Sequence, residues 1–151
     1  MIALGSDHGG LELKAVVQQV LEERGLASKD MGTGNGDSVD YPDFAEKVAL
    51  AVSRGEAECG VLICGTGIGM SIAANKYPGG RAALVTDDFM AQMAKEHNNA
   101  NILVMGGRVM SDEAARSMVQ IWLDTEYEGG RHQRRLDKIA RIEEDVRNGR
   151  L

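Results

Sequence analysis

Val61-Leu62-Ile63-Cys64-Gly65-Thr66-Gly67-Ile68-Gly69-Met70-Ser71 is the stretch of this 151-residue chain whose reading decides the fold. A short apolar run reads as a buried strand, three alternating glycines as a tight turn, and the residues after Gly69 as the start of a helix. Backbone amides at such a helix start face a ligand, and the aligned peptide dipoles favour negative charge there. Cys64 ends the strand, so a thiol lies beside a site suited to an anion, where the helix end favours the thiolate form.

Outward from this stretch, apolar runs alternate with helical periods along the whole chain, the pattern of β/α units on a parallel sheet. Ile2 to Gly5 reads as the first strand. Leu11, Leu13, Val16, Val17, Val20 and Leu21 recur at helical spacing, with Gly25 as the stop. A short strand near residues 27–31 leads into the glycine-rich loop 32–38. Tyr41-Pro42 ends that loop, and a helix follows over about 43–54 with Pro42 just ahead of its first turn. After the strand at 60–63 and the glycine turn, a helix runs to about Lys76. Pro78-Gly79-Gly80 breaks it before a strand at 81–85. Asp87 and Asp88 start the next helix, where acidic side chains suit the dipole, and His97-Asn98 end it. Residues 102–105 form the fifth strand, Gly106-Gly107-Arg108 turns, and Ser111 caps a helix to about Asp124. A last helix over about 130–146 carries Leu136, Ile139, Ile142 and Val146 on one stripe.

The expectation is a three-layer αβα, Rossmann-like fold with a five-stranded parallel sheet and an extra C-terminal helix. Residues 1–151 read as one domain, with the helix over residues 130–148 packing on a partner subunit. Ligands of such sheets bind outside the carboxyl ends of the strands. Asp7 and His8, Cys64 to Gly69, Asp87 and Arg108 each follow a strand and share that edge. The helix ending in His97-Asn98 is expected to point back to it.

Composition narrows the function classes. Charged residues at 26% and hydrophobic residues at 43% are ordinary for a globular protein. No apolar run approaches the roughly 20 residues needed to span a bilayer, and no secretory leader is visible, so a cytoplasmic protein without membrane contact is expected. Cys59 and Cys64 flank one strand, which argues against a disulfide framework. A net charge of −6 argues against nucleic-acid binding.

Position alone leaves two readings for Cys64: a nucleophile or base, or a buried strand-end cysteine acting as a small hydrophobe. Cys59, with no glycine turn beside it, reads as the latter. Gly65, Gly67 and Gly69 do not fit the dinucleotide fingerprint, because its third glycine falls on Met70, and no Lys-Ser or Lys-Thr pair makes a phosphate-binding P-loop. A short phosphate or oxyanion pocket fits better than a nucleotide site, and Asp87 then starts a helix. His8 follows the first strand in Asp7-His8-Gly9-Gly10, where glycines allow close backbone approach. His97 is a catalyst or a helix-end surface residue. Arg131, Arg135 and Lys138 share a helical face near Arg134, which is either a solvated face or a forked phosphate clamp.

Six stretches occur in order: Gly5-Ser6-Asp7-His8-Gly9-Gly10, Asp40-Tyr41-Pro42, Cys64-Gly65-Thr66-Gly67-Ile68-Gly69-Met70-Ser71, Glu96-His97-Asn98, Gly107-Arg108 and Arg131-His132-Gln133-Arg134-Arg135. With them the chain resembles, nearly end to end, the type B ribose-5-phosphate isomerases, which are grouped with the galactose-6-phosphate isomerase subunits. Some members carry a glutamate base after the glycine turn; Cys64 and Asn75 make this chain similar to the cysteine branch. The resemblance implies interconversion of ribose 5-phosphate and ribulose 5-phosphate through an enediolate, in the pentose phosphate pathway, without metal or nucleotide cofactor. It implies Cys64 as proton carrier, Thr66 as hydrogen-bond partner or relay, and His97 as the acid/base that opens the furanose ring. Substrate contacts are implied for Asp7, His8, Tyr41, Gly65, Thr66, Gly67, Ile68, Gly69, Asn98, Arg108, Arg131 and Arg135. The last two reach across from a second subunit of a homodimer or dimer of dimers. A six-carbon sugar 6-phosphate of the galactose or allose type is the alternative substrate. A non-catalytic nucleotide-binding module is the alternative from another class.

Overall fold

The computed structural model describes residues Met1–Leu151. Strands and helices alternate as β1 (Ile2–Ser6), α1 (Leu11–Glu23), β2 (Ser28–Asp30), α2 (Tyr41–Ser53), β3 (Cys59–Cys64), α3 (Ile68–Ala74), β4 (Ala82–Leu84), α4 (Asp88–Glu96), β5 (Ile102–Gly106), α5 (Asp112–Asp124) and α6 (Arg131–Arg147). A 3-10 turn, His8–Gly10, joins β1 to α1. All pairings are parallel, and the strand order is β2-β1-β3-β5-β4. The expected α/β architecture is therefore present.

Successive side chains of a strand point to opposite faces, so each central strand feeds two cores. Ile2, Leu4, Val61, Ile63, Leu103 and Met105 meet α1, α4 and α5 around Trp122. Ala3, Leu62, Cys64, Ile102 and Val104 meet α2 and α3 on the other face. Burial on both faces is why β1, β3 and β5 read as unbroken apolar runs.

Local chemistry sets the ends of the elements. Gly25 adopts φ +66° and stops α1. Asp87 Oδ1 accepts the Met90 N–H at 2.8 Å and Ser111 Oγ accepts the Ala114 N–H at 3.2 Å, capping α4 and α5 as their positions imply. Pro42 falls inside the first turn of α2 rather than ahead of it, where its missing N–H leaves no bond unmade. Helix α3 stops at Ala74, short of the expected Lys76, because Asn75 turns to β4. Its Nδ2 donates to the Ala82 carbonyl and its Oδ1 accepts the Ala82 N–H, both at 2.9 Å. Helix α6 buries Leu136 but leaves Ile139, Ile142 and Val146 exposed. The Gly79 N–H donates to Glu143 Oε1 at 2.9 Å, tying α6 to the loop ahead of β4. No helix is long and apolar enough to cross a membrane.

Lys14, on the inner side of α1, is only 3% exposed. Its Nζ donates to Asp30 Oδ1 at 2.8 Å and to the Thr33 carbonyl at 2.5 Å, anchoring the start of the glycine-rich loop that leads to Tyr41. Removing the ammonium takes the side-chain donor from the Thr33 carbonyl, while Asp30 Oδ1 keeps the Gly32 N–H at 2.8 Å. Lys14→Met is expected to lower unfolding stability by about 2 kcal/mol in urea melts, with faster limited proteolysis within residues 32–40.

Candidate active site

Register determines which side chains meet. β1 pairs with β3 so that Ser6 lies opposite Ile63, and Asp7 and Cys64 therefore leave the sheet side by side. The chain moves one way from β1 to β2 and the other way to β3, so this is the topological switch point where open α/β sheets hold ligands. Asp7 is 8% exposed; its Oδ1 accepts the Gly9 N–H at 2.9 Å and caps the 3-10 turn. His8 Nδ1 accepts the Val39 N–H at 3.2 Å, which ties the loop before α2 to the site. With Nδ1 accepting, the neutral ring carries its proton on Nε2, a donor suited to an anionic oxygen.

Cys64 is 5% exposed, and the Gly67 N–H donates to its Sγ at 3.2 Å. Gly67 has φ +82°, and a Cβ there would stand 2.5 Å from Leu84 Cδ1 and 3.0 Å from the Met105 carbonyl. Only glycine can turn the chain so that this amide faces the sulfur.

Close approaches assemble the rest. A Cβ on Gly69 would be 2.5 Å from Tyr41 Cζ, so the tyrosine ring lies on that glycine. Cβ atoms on Gly9 and Gly65 would lie 3.4 and 3.2 Å from the Arg108 guanidinium, which covers both. Gly107 N–H donates to the Cys64 carbonyl at 2.8 Å and Arg108 N–H to the Gly65 carbonyl at 2.9 Å. Thr66 and Ile68 are exposed at the tip of the turn, with the Ile68 N–H 3.4 Å from Thr66 Oγ1. Asp7, His8, Tyr41, Cys64, Gly65 to Gly69 and Arg108 thus share one edge. The Gly67 amide is committed to sulfur, so an arriving oxyanion would meet the other amides, Thr66 and Arg108.

Cys59, at the far end of β3, has a different environment. Burial pushes its thiol up, Glu58 adds to this, and Lys95 and the amino terminus oppose it. It stays a neutral thiol near neutral pH.

His97 and Asn98 do not join this group within the chain. Helix α4 starts beyond the carboxyl end of β4 and runs back along the sheet, so its last residues reach the amino edge. Asn101 marks that edge, accepting the Gly60 N–H at 2.9 Å and donating to the Arg81 carbonyl at 3.1 Å, at the starts of β3 and β4. With about 3.3 Å of rise per residue, the six residues of β3 hold the two edges about 16 Å apart. The expectation that α4 ends at the ligand edge is corrected: a crossover helix returns to where the next strand begins. Arg131 and Arg135, both exposed at the start of α6, go with His97, because His132 between them stacks on the His97 ring with centroids 4.1 Å apart and planes 16° apart.

Sequence reasoning assigned no role to His132 or Lys14. A lysine on the inner face of α1 is the available signal for the second; nothing in the spacing links His132 to His97. His97, Glu128 and His132 bring three ligand-type atoms within 4.8 Å of one another. The imidazoles lie face to face, however, so their lone pairs lie in two nearly parallel planes 4.1 Å apart at the centroids, an arrangement unsuited to converging on one ion.

A Rossmann-like α/β protein with an amide-bonded cysteine and a glycine turn at its switch point is the class that this geometry defines. Residues 2–139 match the Ribose/Galactose Isomerase family model, and the chain belongs to that family. It is 48% identical over 143 residues to ribose-5-phosphate isomerase B of Escherichia coli (strain K12), covering 95% of this chain and 96% of that one. The structure of Clostridium thermocellum ribose-5-phosphate isomerase B is 52% identical with a TM-score of 0.94, covering 96% of this chain and 98% of that one. That of Mycoplasma genitalium ribose-5-phosphate isomerase B with bound ribulose-5-phosphate is 42% identical with a TM-score of 0.92, covering 95% and 96%.

Gly67→Ala is expected to cost about 2 kcal/mol or more, read from the urea midpoint, since it combines a left-handed backbone with a core clash.

Proposed function

We propose that this chain interconverts ribose 5-phosphate and ribulose 5-phosphate, with Cys64 moving the proton. The observation that carries the reading is the Gly67 N–H on Cys64 Sγ: a buried sulfur that accepts a backbone amide beside a glycine turn. The names of the relatives and the bound ketose of the Mycoplasma genitalium enzyme support the choice of substrate.

On the open-chain aldose, the Cys64 thiolate removes the proton from C2, and the electron pair moves toward C1 so that negative charge gathers on O1. The amides of the turn other than that of Gly67 and the Thr66 hydroxyl hold that oxygen, the kind of aimed stabilisation that often contributes most to such a step. Cys64 then returns its proton to C1 while the C2 hydroxyl proton passes to O1, with Thr66 suited to relay it. Asp7 contacts the sugar hydroxyls or ring oxygen, and Tyr41 borders the pocket. His8 and Arg108 meet the phosphate.

Ring opening and the remaining phosphate contacts come from His97, Asn98, Arg131 and Arg135. Since these lie at the opposite edge from Cys64, they serve the reaction only from a second copy of the chain. A two-fold pair completes two sites at once. Apolar side chains left in water support such a pairing: Ile68, Ile72, Phe89 and Val109 near the carboxyl edge, and Ile139, Ile142 and Val146 on α6, are all more than half exposed. In this reading the chain is one isomerase domain, its C-terminal helix over 130–148 lies on the partner, and the assembly is a homodimer or a dimer of dimers.

Cys64→Ala is expected to lower kcat for ribose 5-phosphate by about a thousandfold or more with an unchanged circular dichroism spectrum, while Cys59→Ala stays within about twofold. Turnover of ribose 5-phosphate should exceed that of galactose or allose 6-phosphate by about tenfold or more; the reverse order would reassign the substrate. Binding of adenine nucleotides without pentose phosphates in calorimetry would replace the isomerase reading altogether. Equal mixing of inactive Cys64→Ala and Arg131→Ala chains should restore up to about a quarter of wild-type activity, because half of the pairs then hold one intact site of two. No recovery after demonstrated exchange of subunits would exclude the shared site.

A further inference from the structure

We infer that His132 is a positioning residue for ring opening: its buried imidazole is the flat platform that holds the His97 ring in the plane from which it exchanges a proton with the sugar. The inference rests on the role proposed for His97.

The two rings are stacked at 4.1 Å with only 16° between their planes. His132 is 5% exposed, whereas about a third of the His97 side chain is open to solvent, so one ring is fixed by the core and the other lies on it with an accessible side. Both backbones are held. The Glu128 N–H donates to the Glu96 carbonyl at 3.0 Å and the His132 N–H to the Gly129 carbonyl at 3.1 Å, which locks the start of α6 against the end of α4. His97 Nε2 lies 3.6 Å from Glu96 Oε1, beyond hydrogen-bond range, so no short polar contact orients the ring and the stack does.

Hydrogen bonding does not explain a histidine at position 132. Its Nε2 is buried without a hydrogen-bond partner, and Glu128 Oε1 is 3.7 Å away. An unsatisfied buried nitrogen disfavours the fold, so a residue kept there for packing alone would be better apolar. The contact the ring does make is its face against His97. A proton-transfer group must hold its nitrogen on line with the reacting atom, and a displacement of about 1 Å can cost about a hundredfold.

Ribulose 5-phosphate separates ring opening from proton transfer at carbon. Its C5 oxygen carries the phosphate, so it cannot close to a furanose, and exchange of its C1 hydrogen with solvent deuterium needs enolisation alone. The experiment compares His132→Leu, which fills the site without a flat face, with His132→Phe, which keeps the face and removes the nitrogens. Each is assayed for turnover of ribose 5-phosphate and, by proton NMR in deuterium oxide, for C1 exchange of ribulose 5-phosphate. His132→Leu is expected to lose about tenfold to a hundredfold in turnover with exchange within about threefold of wild type, and His132→Phe to recover most of the turnover. Unchanged turnover in His132→Leu overturns the inference, as does an equal loss of turnover and exchange, or a Phe variant as poor as the Leu variant. His97→Ala is run beside them. If it keeps turnover of the aldose, the ring-opening role of His97 falls and the inference with it; if it loses turnover and His132→Leu does not, only the inference falls.

Discussion

Parallel pairing of β1 with β3, in the register that sets Ser6 opposite Ile63, is the constraint on which the site depends. It brings Asp7 beside Cys64 and allows the 3-10 turn after β1 to lie against the glycine turn after β3. A one-residue slip would turn Cys64 from the α2 and α3 side to the opposite face and bury it among Val61 and Ile63's neighbours. The parallel order sorts the other site groups as well. Residues that follow strands gather at one edge, and residues that end crossover helices gather at the other.

That sorting explains how much was legible beforehand. β1, β3 and β5 are buried on both faces, so their apolar runs are unbroken and easily read. Gly25, Asp87 and Ser111 obey local rules of backbone freedom and capping that need no knowledge of the fold. The switch-point residues follow from strand order of this general kind. His97 and Asn98 fall on the other side because they end a crossover helix, and the next strand must begin opposite the ligand edge. The contacts of Lys14 and His132 follow no local rule. Their partners, Asp30, Thr33 and His97, come from distant parts of the chain, and only packing brings them together.

The two cysteines show how position on one strand separates chemical fates. Cys64 receives an amide from a left-handed glycine at the end of a helix. Cys59 lies near Lys95, whose ammonium is itself pulled down, chiefly by burial, with Cys59 opposing and Arg81 adding to the effect. Lys95 Nζ also rests 4.4 Å from the Trp122 ring centroid, so an aromatic face shares its charge. Identical side chains at the two ends of β3 thus meet different surroundings, a backbone amide at one and burial near a lysine at the other.

Asn75 also bears on how copies of this chain can meet. A parallel sheet ends in strands with unpaired backbone groups, which invite edge-to-edge association and aggregation. On β4 the Asn75 amide takes both outward groups of Ala82, occupying the place that a neighbouring strand would fill. On the other margin, β2 is only three residues long, wholly exposed and carries Lys29 and Asp30. With one margin capped at the first residue of β4 by a side chain and the other short and charged, the sheet resists growth by strand addition. Contact between copies is steered to helices and loops, which protects a chain with so much exposed apolar surface from fibrous assembly.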